Sequence, residues 1–302
     1  MPSSSTEPVV SVLVLTYNHE RTIAGAIRSV LGQQFSQPWE VLVAEDCSTD
    51  ATRARLVELT SEFPGRLTLL DRERNLGLSR NLEDALSRCR GRYISILEGD
   101  DEWNTPHKLE RVVTALEARP DWTGCFHRCR VEHLDNNDPS FELPKSFHAG
   151  EATLTDLLRL NVIPTYSVMT YRAGVVRQFP EWHRGLACGD WCLNALHAAR
   201  GPLGYLPEVM TTYRVHARGM WSGKPIGDRW RDYETFWTNI DAHFEGRYHA
   251  LIEASRREFL DNINQEFSDL KRIERRYHAL GLDHIAAFLR RMKRLWRRDT
   301  NR

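Results

Sequence analysis

The stretch Ile94-Ser95-Ile96-Leu97-Glu98-Gly99-Asp100-Asp101-Glu102-Trp103 changes from apolar to acidic at a single step. Ile94 to Leu97 reads as a buried strand. Glu98, Asp100 and Asp101 fall within four positions, and such carboxylates repel one another unless a cation or solvent takes up the charge. Oxygen-only ligands suit Mg2+ or Mn2+, and Gly99 permits a close ligand approach where the strand ends. An acidic surface loop ahead of a helix starting at Thr105-Pro106 is the competing interpretation. The stretch alone does not separate the two.

The residues upstream do. Val9 to Tyr17 (VVSVLVLTY) is a near-continuous β-branched run, the pattern of a strand covered on both faces. Ile23, Ile27, Val30 and Leu31 then recur at helical spacing. Trp39 to Asp46 predicts a second strand, which also ends in acids, Glu45-Asp46; Ser48, Thr49 and Asp50 can cap the helix whose stripe is Leu56, Leu59 and Phe63. Leu67 to Leu70 predicts a third strand, Asn75-Leu76-Gly77 a turn, and Leu82, Ala85, Leu86 and Cys89 the stripe of the next helix. The opening stretch is therefore the fourth strand of a doubly wound α/β domain. In such sheets ligands bind beyond the carboxyl ends of the strands, so Tyr17, Asp46 and Asp100 should converge. Neither a G-x-G-x-x-G turn nor a P-loop is present. A site that meets phosphates with carboxylates needs a metal bridge.

The chain has 302 residues, 41 Lys plus Arg against 41 Asp plus Glu, and six cysteines. That length allows one large core or two modest ones. Balanced charge provides no overall field to recruit nucleic acid. No apolar run approaches the roughly 18 residues of a membrane span, and Met1 to Pro8 lacks a signal peptide's apolar centre, which predicts a cytoplasmic protein. Cys125/Cys129 and Cys188/Cys192 do not have zinc-site spacing, and reduced thiols are expected.

Five segments, VSVLVLTYN, VLVAEDCSTDAT, NLGLSRN, GRYISILEGDDEW and YRVHARGMWSG, resemble in order and spacing a glycosyltransferase of family 2 with the nucleotide-sugar-binding GT-A fold, over roughly Val9 to Gly223. The resemblance implies that Thr16, Tyr17 and Asp46 line the nucleoside pocket, with Asp46 accepting from the base ring, Tyr17 offering a ring face and Arg80 beside them. It gives Asp101 the metal, Mn2+ or Mg2+, and Asp100 the ribose or the metal's water shell. Asp190 becomes the catalytic base, His216 a metal ligand or diphosphate donor, Arg214 a second diphosphate contact, and 217–225 a lid. Two positions depart from the family pattern: Glu98 stands where many members have Asp, and Gly189 where an acid commonly precedes the catalytic Asp. Each residue also has an ordinary use: strand-end packing or helix capping for Thr16, Tyr17 and Asp46, a surface charge for Arg80, and a favourable helix-dipole position for Asp190.

The implied reaction moves a sugar from a nucleoside diphosphate, UDP or dTDP by family, to a hydroxyl of a glycan, lipid-linked or other acceptor, inverting the anomeric carbon. Rival readings are a scaffold that keeps the fold without turnover and a sugar nucleotidyltransferase, which would want a Gly-rich basic signature after the first strand. The expected organisation is a tail over 1–8, a GT-A domain over 9–225 and a helical region over 226–302. The GT-A domain divides into a nucleotide-sugar half, 9–122, and an acceptor half with the lid, 123–225. In the acceptor half, Leu154 to Leu160 predicts a short helix, Val162 to Tyr171 a strand, and Thr165, Ser167, Trp182 and Trp191 are acceptor candidates. Helices joined near Gly246 and Gly281 follow. The last pairs an apolar stripe from Ile285 to Trp296 with arginines and lysines, a pattern suited to an anionic membrane surface, to the domain itself or to a second subunit in a homodimer.

Overall fold

The computed structural model describes residues 7–70, 72–136, 138–145, 147 and 149–261. The first six residues of the expected tail, the junction at Gly281 and the basic helix from Ile285 lie outside the described residues.

Strand and helix alternate through β1 (Val10–Thr16), α1 (Ile23–Leu31), β2 (Trp39–Glu45), α2 (Thr52–Glu62), β3 (Thr68–Leu70), α3 (Leu78–Arg88) and β4 (Tyr93–Glu98). The four strands pair in parallel in the order β3-β2-β1-β4. Every residue of β1 is buried, because helices cover both faces of the sheet there; this is why its sequence is continuously apolar rather than alternating. Thr16 lies beside Glu45, and Leu15 lies beside both Ala44 and Glu98, so the three strands finish level with one another. Whatever follows each strand is delivered to one edge.

The chain continues through β5 (Glu102–Trp103), α4 (Lys108–Ala118), β6 (Gly124–His133), β7 (Phe141–Leu143), β8 (Glu151–Ala152), α5 (Leu154–Arg159), β9 (Met169–Arg172), α6 (Gly189–Ala198), β10 (Leu203–Val215) and α7 (Ile226–His243). The full order is β3-β2-β1-β4-β9-β6-β10-β5, with β7 on β6 and β8 on β10. The fold is thus an α/β sheet, mostly parallel by paired length, with helices at the C-terminal end. Buried residues of α1, α2 and α4, among them Ile27, Leu56 and Val112, share one core with β1 and β2.

Two elements differ from the sequence expectation. Val162 to Tyr171 is not one strand: Thr165 caps a single 3-10 turn over Tyr166–Val168, accepting from the Ser167 N–H, and only Met169–Arg172 enters the sheet. Pro164 and the capping hydroxyl divert the backbone before pairing begins. The helix expected from Thr105-Pro106 starts at Lys108, with His107 at the cap and no side-chain cap bond. The acidic stretch itself crosses the sheet. It leaves β4, turns at Gly99 to Asp101, and pairs as β5 antiparallel to β10.

The described residues form two compact units, one from 7–157 with 161–185 and 189–216, the other from 158–160 with 186–188 and 217–261. In the second, α7 is followed by a turn in which Gly246 has φ +72° and by a helix over 249–261. Trp230 stacks on Phe259 at 5.3 Å between ring centroids, and the buried Trp237 donates from Nε1 to the Leu158 carbonyl. The loop expected as a lid, 217–225, belongs to this second unit.

Candidate functional site

At the level edge of the sheet, the turn after β4 presents its carboxylates in different directions. Asp101 points inward and is 1% exposed. Its Oδ1 accepts from the Arg214 backbone N–H at 2.9 Å, and its Oδ2 faces the Thr165 hydroxyl at 3.3 Å. Asp100 points the other way, and its Oδ2 lies 3.0 Å from His216 Nε2 and 3.7 Å from His19 Nε2. Glu98 turns back toward the 3-10 turn: its Oε2 accepts from Thr165 Oγ1 at 2.5 Å while its N–H donates to Ser167 Oγ at 2.9 Å. The extra methylene of Glu98 relative to aspartate supplies reach to Thr165.

The electrostatics follow from burial and from crowding of like charge. Burial, then Asp100 and Asp101, raise Glu98 well above the usual carboxylate range. Burial and the Asp100 charge push Asp101 up to about 8. Burial opposes the Asp100 anion too, but the His19 and His216 rings outweigh it and bring this acid below its ordinary value. Asp100 is the carboxylate of the three that the site keeps charged. Behind them lies Lys108, fully buried, donating to the Ser167 carbonyl at 2.8 Å and sitting 4.0 Å over the Trp103 ring.

On the other side of the edge, Thr16 is buried at the end of β1 and Tyr17 is 41% exposed. The Asp46 carboxylate accepts from the backbone N–H groups of Leu76 and Gly77 at 2.8 and 2.9 Å, and its carbonyl accepts from Asn75 Nδ2 at 2.9 Å. Asp46 therefore pins the Asn75-Leu76-Gly77 turn under the start of α3. Burial leaves its pKa raised despite those amides and the Arg72 charge. Arg80 is exposed on α3. The cation facing Asp46 is Arg72, which is buried, donates to Asn81 Oδ1 at 3.0 Å and pairs with Asp84 at 2.7 Å. Sequence reading had no signal for Arg72, since a single arginine in a charged run carries no periodicity.

Asp190 opens α6, and its Oδ1 accepts from the Trp191 N–H at 2.8 Å. Burial raises its pKa to about 6, against lowering by the Trp191 amide and the Asn161 side chain. Its charge is felt at Glu98 and at the half-buried Tyr213, which puts it within electrostatic reach of the acid cluster. A Cβ at Gly189 would stand 2.9 Å from Tyr166 Oη and 3.3 Å from His183 Nε2. Glycine there admits these two buried rings in place of an acidic side chain. Among the acceptor candidates, Trp191 is fully buried with Nε1 on the Leu157 carbonyl at 2.6 Å, and Thr165 and Ser167 are committed to the Glu98 turn. None of these three offers a surface for a sugar. Trp182 is half-buried. The Arg214 guanidinium is bound to the Glu102 carboxylate and reaches the Asp100 carbonyl.

The family model described as Glycosyl transferase family 2 matches residues 11–173, from β1 through β9. The chain belongs to glycosyl transferase family 2. The match takes in Asp46 and the acidic turn and stops short of Asp190, Arg214 and His216. An uncharacterized protein of Mycobacterium tuberculosis is 35% identical over 226 residues, covering 75% of this chain and 64% of the relative. The putative teichuronic acid biosynthesis glycosyltransferase TuaG of Bacillus subtilis is 32% identical over 167 residues, covering 55% of this chain and 63% of TuaG. The chain thus spans a little under two thirds of the length of these curated relatives. The mannosyltransferase PcManGT from Pyrobaculum calidifontis, solved in complex with GDP-Man and Mn2+, superposes with a TM-score of 0.62 over 98% of this chain and 88% of that one. At 16% identity this is a likeness of fold, and it is the GT-A architecture that the family 2 motifs imply.

Among the described residues, no three His, Cys, Asp or Glu side chains form a ready metal cage. Asp100 Oδ2 and His216 Nε2 nevertheless lie 3.0 Å apart, and adjacent ligands on an octahedral ion with bonds of about 2.1 Å are separated by about that distance. One carboxylate and one imidazole suit Mn2+, and they suit Mg2+ when substrate phosphates complete the shell.

Proposed function

We propose that this chain transfers a sugar from a nucleoside diphosphate to the hydroxyl of a glycan or glycoconjugate acceptor, with inversion at the anomeric carbon. The observation that carries the reading is the convergence of Glu98, Asp100 and Asp101 at the level edge of the sheet, where Thr16 ends β1 and Asp46 follows β2; Asp190, raised to about 6, is the candidate base beside it. A carboxylate with that pKa is largely ionised at neutral pH yet basic enough to take a proton as a hydroxyl attacks. Attack and departure in one displacement invert the centre, through an oxocarbenium-like state.

The nucleoside lies against Thr16, the exposed ring of Tyr17 and Asp46, with Arg80 at its side. Asp100 and His216 are the residues that would hold Mn2+ or Mg2+, and the ion would neutralise charge growing on the diphosphate. Asp101 acts from behind, where its bonds to the Arg214 amide and the Thr165 hydroxyl fix the turn that presents Asp100. Arg214 anchors the same turn through Glu102 and the Asp100 carbonyl. Fixed orientation of donor and acceptor supplies much of the remaining rate. Polysaccharide synthesis as the setting is supported by the similarity to TuaG. No described helix is long and apolar enough to cross a membrane.

The test is thermal stability against UDP, dTDP and GDP and their sugars, with and without Mn2+. A specific ligand at 100 times its Kd adds about 2.7 kcal/mol. A Mn2+-dependent rise with one nucleotide, followed by release of that nucleotide when acceptor is supplied, is expected. No rise with any of them overturns the proposal, and a product of retained configuration overturns inversion.

A further inference from the structure

The loop between β1 and α1 is held with unusual economy of freedom. The backbone N–H groups of three consecutive residues are taken by side chains of the loop after β2 and of the first residue of α2: Asn18 by Ser48 Oγ at 2.9 Å, His19 by Thr52 Oγ1 at 2.7 Å and Glu20 by Asp50 Oδ2 at 3.2 Å. Asn18 returns the favour by accepting from the Thr49 N–H at 2.8 Å, and it sits at φ +58°, in the left-handed region that asparagine tolerates better than most residues. The side chain this framework presents is His19. Its Nδ1 is 3.2 Å from Thr16 Oγ1 and its Nε2 is 3.7 Å from Asp100 Oδ2. Gly99 makes room for it: a Cβ there would stand 2.7 Å from both His19 Nδ1 and Thr16 Oγ1.

His19 therefore touches two parts of the site at once. Thr16 belongs to the nucleoside side, and Asp100 with His216 to the cation side. In a nucleotide sugar the diphosphate joins the nucleoside to the sugar and is the part a cation binds, so a diphosphate bridging those two sides would pass the His19 ring, which touches both. The local charge makes such a contact valuable, because the charged Asp100 carboxylate would repel a diphosphate and the Arg214 guanidinium is already bound to Glu102. A loop pinned at three amides holds the imidazole in place before ligand arrives, so little ordering entropy is lost on binding.

Resting on the function proposed above, we infer that His19 is a diphosphate-binding residue, facing the phosphates of the donor from the β1–α1 loop opposite His216. The sequence motifs gave it no role, because the partner that ties it to the cation side, Asp100, comes from the turn after β4, 81 residues further along the chain.

The test is calorimetric titration with Mn2+ of uridine, UMP and UDP, and in parallel guanosine, GMP and GDP, into the wild type, His19→Gln and His19→Asn. Thermal unfolding checks that each variant is folded. For the nucleotide series that binds, the variants should keep the wild-type affinity for nucleoside within about twofold. They should lose about tenfold for the diphosphate, which corresponds to about 1.4 kcal/mol. Titration with Mn2+ alone should be unchanged. An equal loss for nucleoside and diphosphate, no loss at all, or a loss of Mn2+ affinity without nucleotide would each overturn the assignment, the last by making His19 a metal ligand. Failure of the wild type to bind any of the six compounds or dTDP would instead overturn the underlying function.

Discussion

Replacing Asp190 by Asn should stabilise the protein and inactivate it together. The carboxylic acid at this position rises from an ordinary 3.8 to about 6 because burial disfavours the anion. At about 1.4 kcal/mol per pH unit, that rise corresponds to at most about 3 kcal/mol of penalty for holding the charge in the fold. The side chain is incompletely buried, and relaxation and water reduce the figure to about 1–2 kcal/mol. The sign follows from proton binding. Between pH 3.8 and about 6 the folded state holds a proton that the unfolded state has released, so stability falls as pH rises through this window. The penalty is fully present above about pH 6 and absent below about pH 4. Asparagine keeps an oxygen to accept from the Trp191 N–H and carries no charge. Urea denaturation from pH 4 to 8 should therefore show the variant equal to wild type at the acid end and about 1–2 kcal/mol more stable at pH 7.5, a melting point higher by roughly 3–6 °C. Loss of a general base should cost about 10²–10⁴ in rate. In the wild type, kcat/KM should rise with an apparent pKa near 6, leaving roughly a tenth of the plateau at pH 5. A variant less stable than wild type above pH 6, or a stability difference that ignores pH, would refute the burial argument. Retention of more than about a tenth of the activity would remove Asp190 from the chemistry.

Further outcomes separate the neighbouring acids. Asp100→Ala and His216→Ala should each weaken Mn2+ binding by at least about tenfold in calorimetry while leaving the metal-free melting point nearly unchanged; Asp101→Ala should do the reverse, costing about 1–3 kcal/mol by stripping the Arg214 amide of its acceptor. Asp46→Ala takes the acceptor from the Leu76 amide and leaves the Gly77 amide only Asn75 Oδ1, and it should cost about 1–3 kcal/mol with an unchanged urea m-value; a neutral result would mean that the turn finds other partners. Gly99→Ala forces a Cβ to 2.7 Å from His19 and Thr16 and should cost about 1–3 kcal/mol, read by the same denaturation curves.

Much of the fold was legible because its signals are local. A strand covered on both faces must be apolar at every position, and Val9 to Tyr17 shows that without any knowledge of its neighbours. The stripes of α1, α2 and α3 are visible for the same reason, since burial of one helix face imposes its period on adjacent residues. Val162 to Tyr171 misled because its composition suits a strand while its backbone is decided by Thr165 and Pro164, which spend the first half of the segment in a turn.

The sequence by itself determined the alternation of strands and helices through β4 and the residue types that end its strands. It also carried enough of the motifs in 11–173 to indicate the family. Only the tertiary structure decided which way each acid points. Asp100 and Asp101 are adjacent and chemically alike, yet one faces two imidazoles and the other the amide of Arg214, 113 residues away. His19, Arg72 and Lys108 enter the site or its support through partners on other elements. Local periodicity records which face of an element is buried. The direction of a carboxylate in a turn depends on hydrogen bonds and charges that distant segments bring, and these exist only once the sheet has assembled.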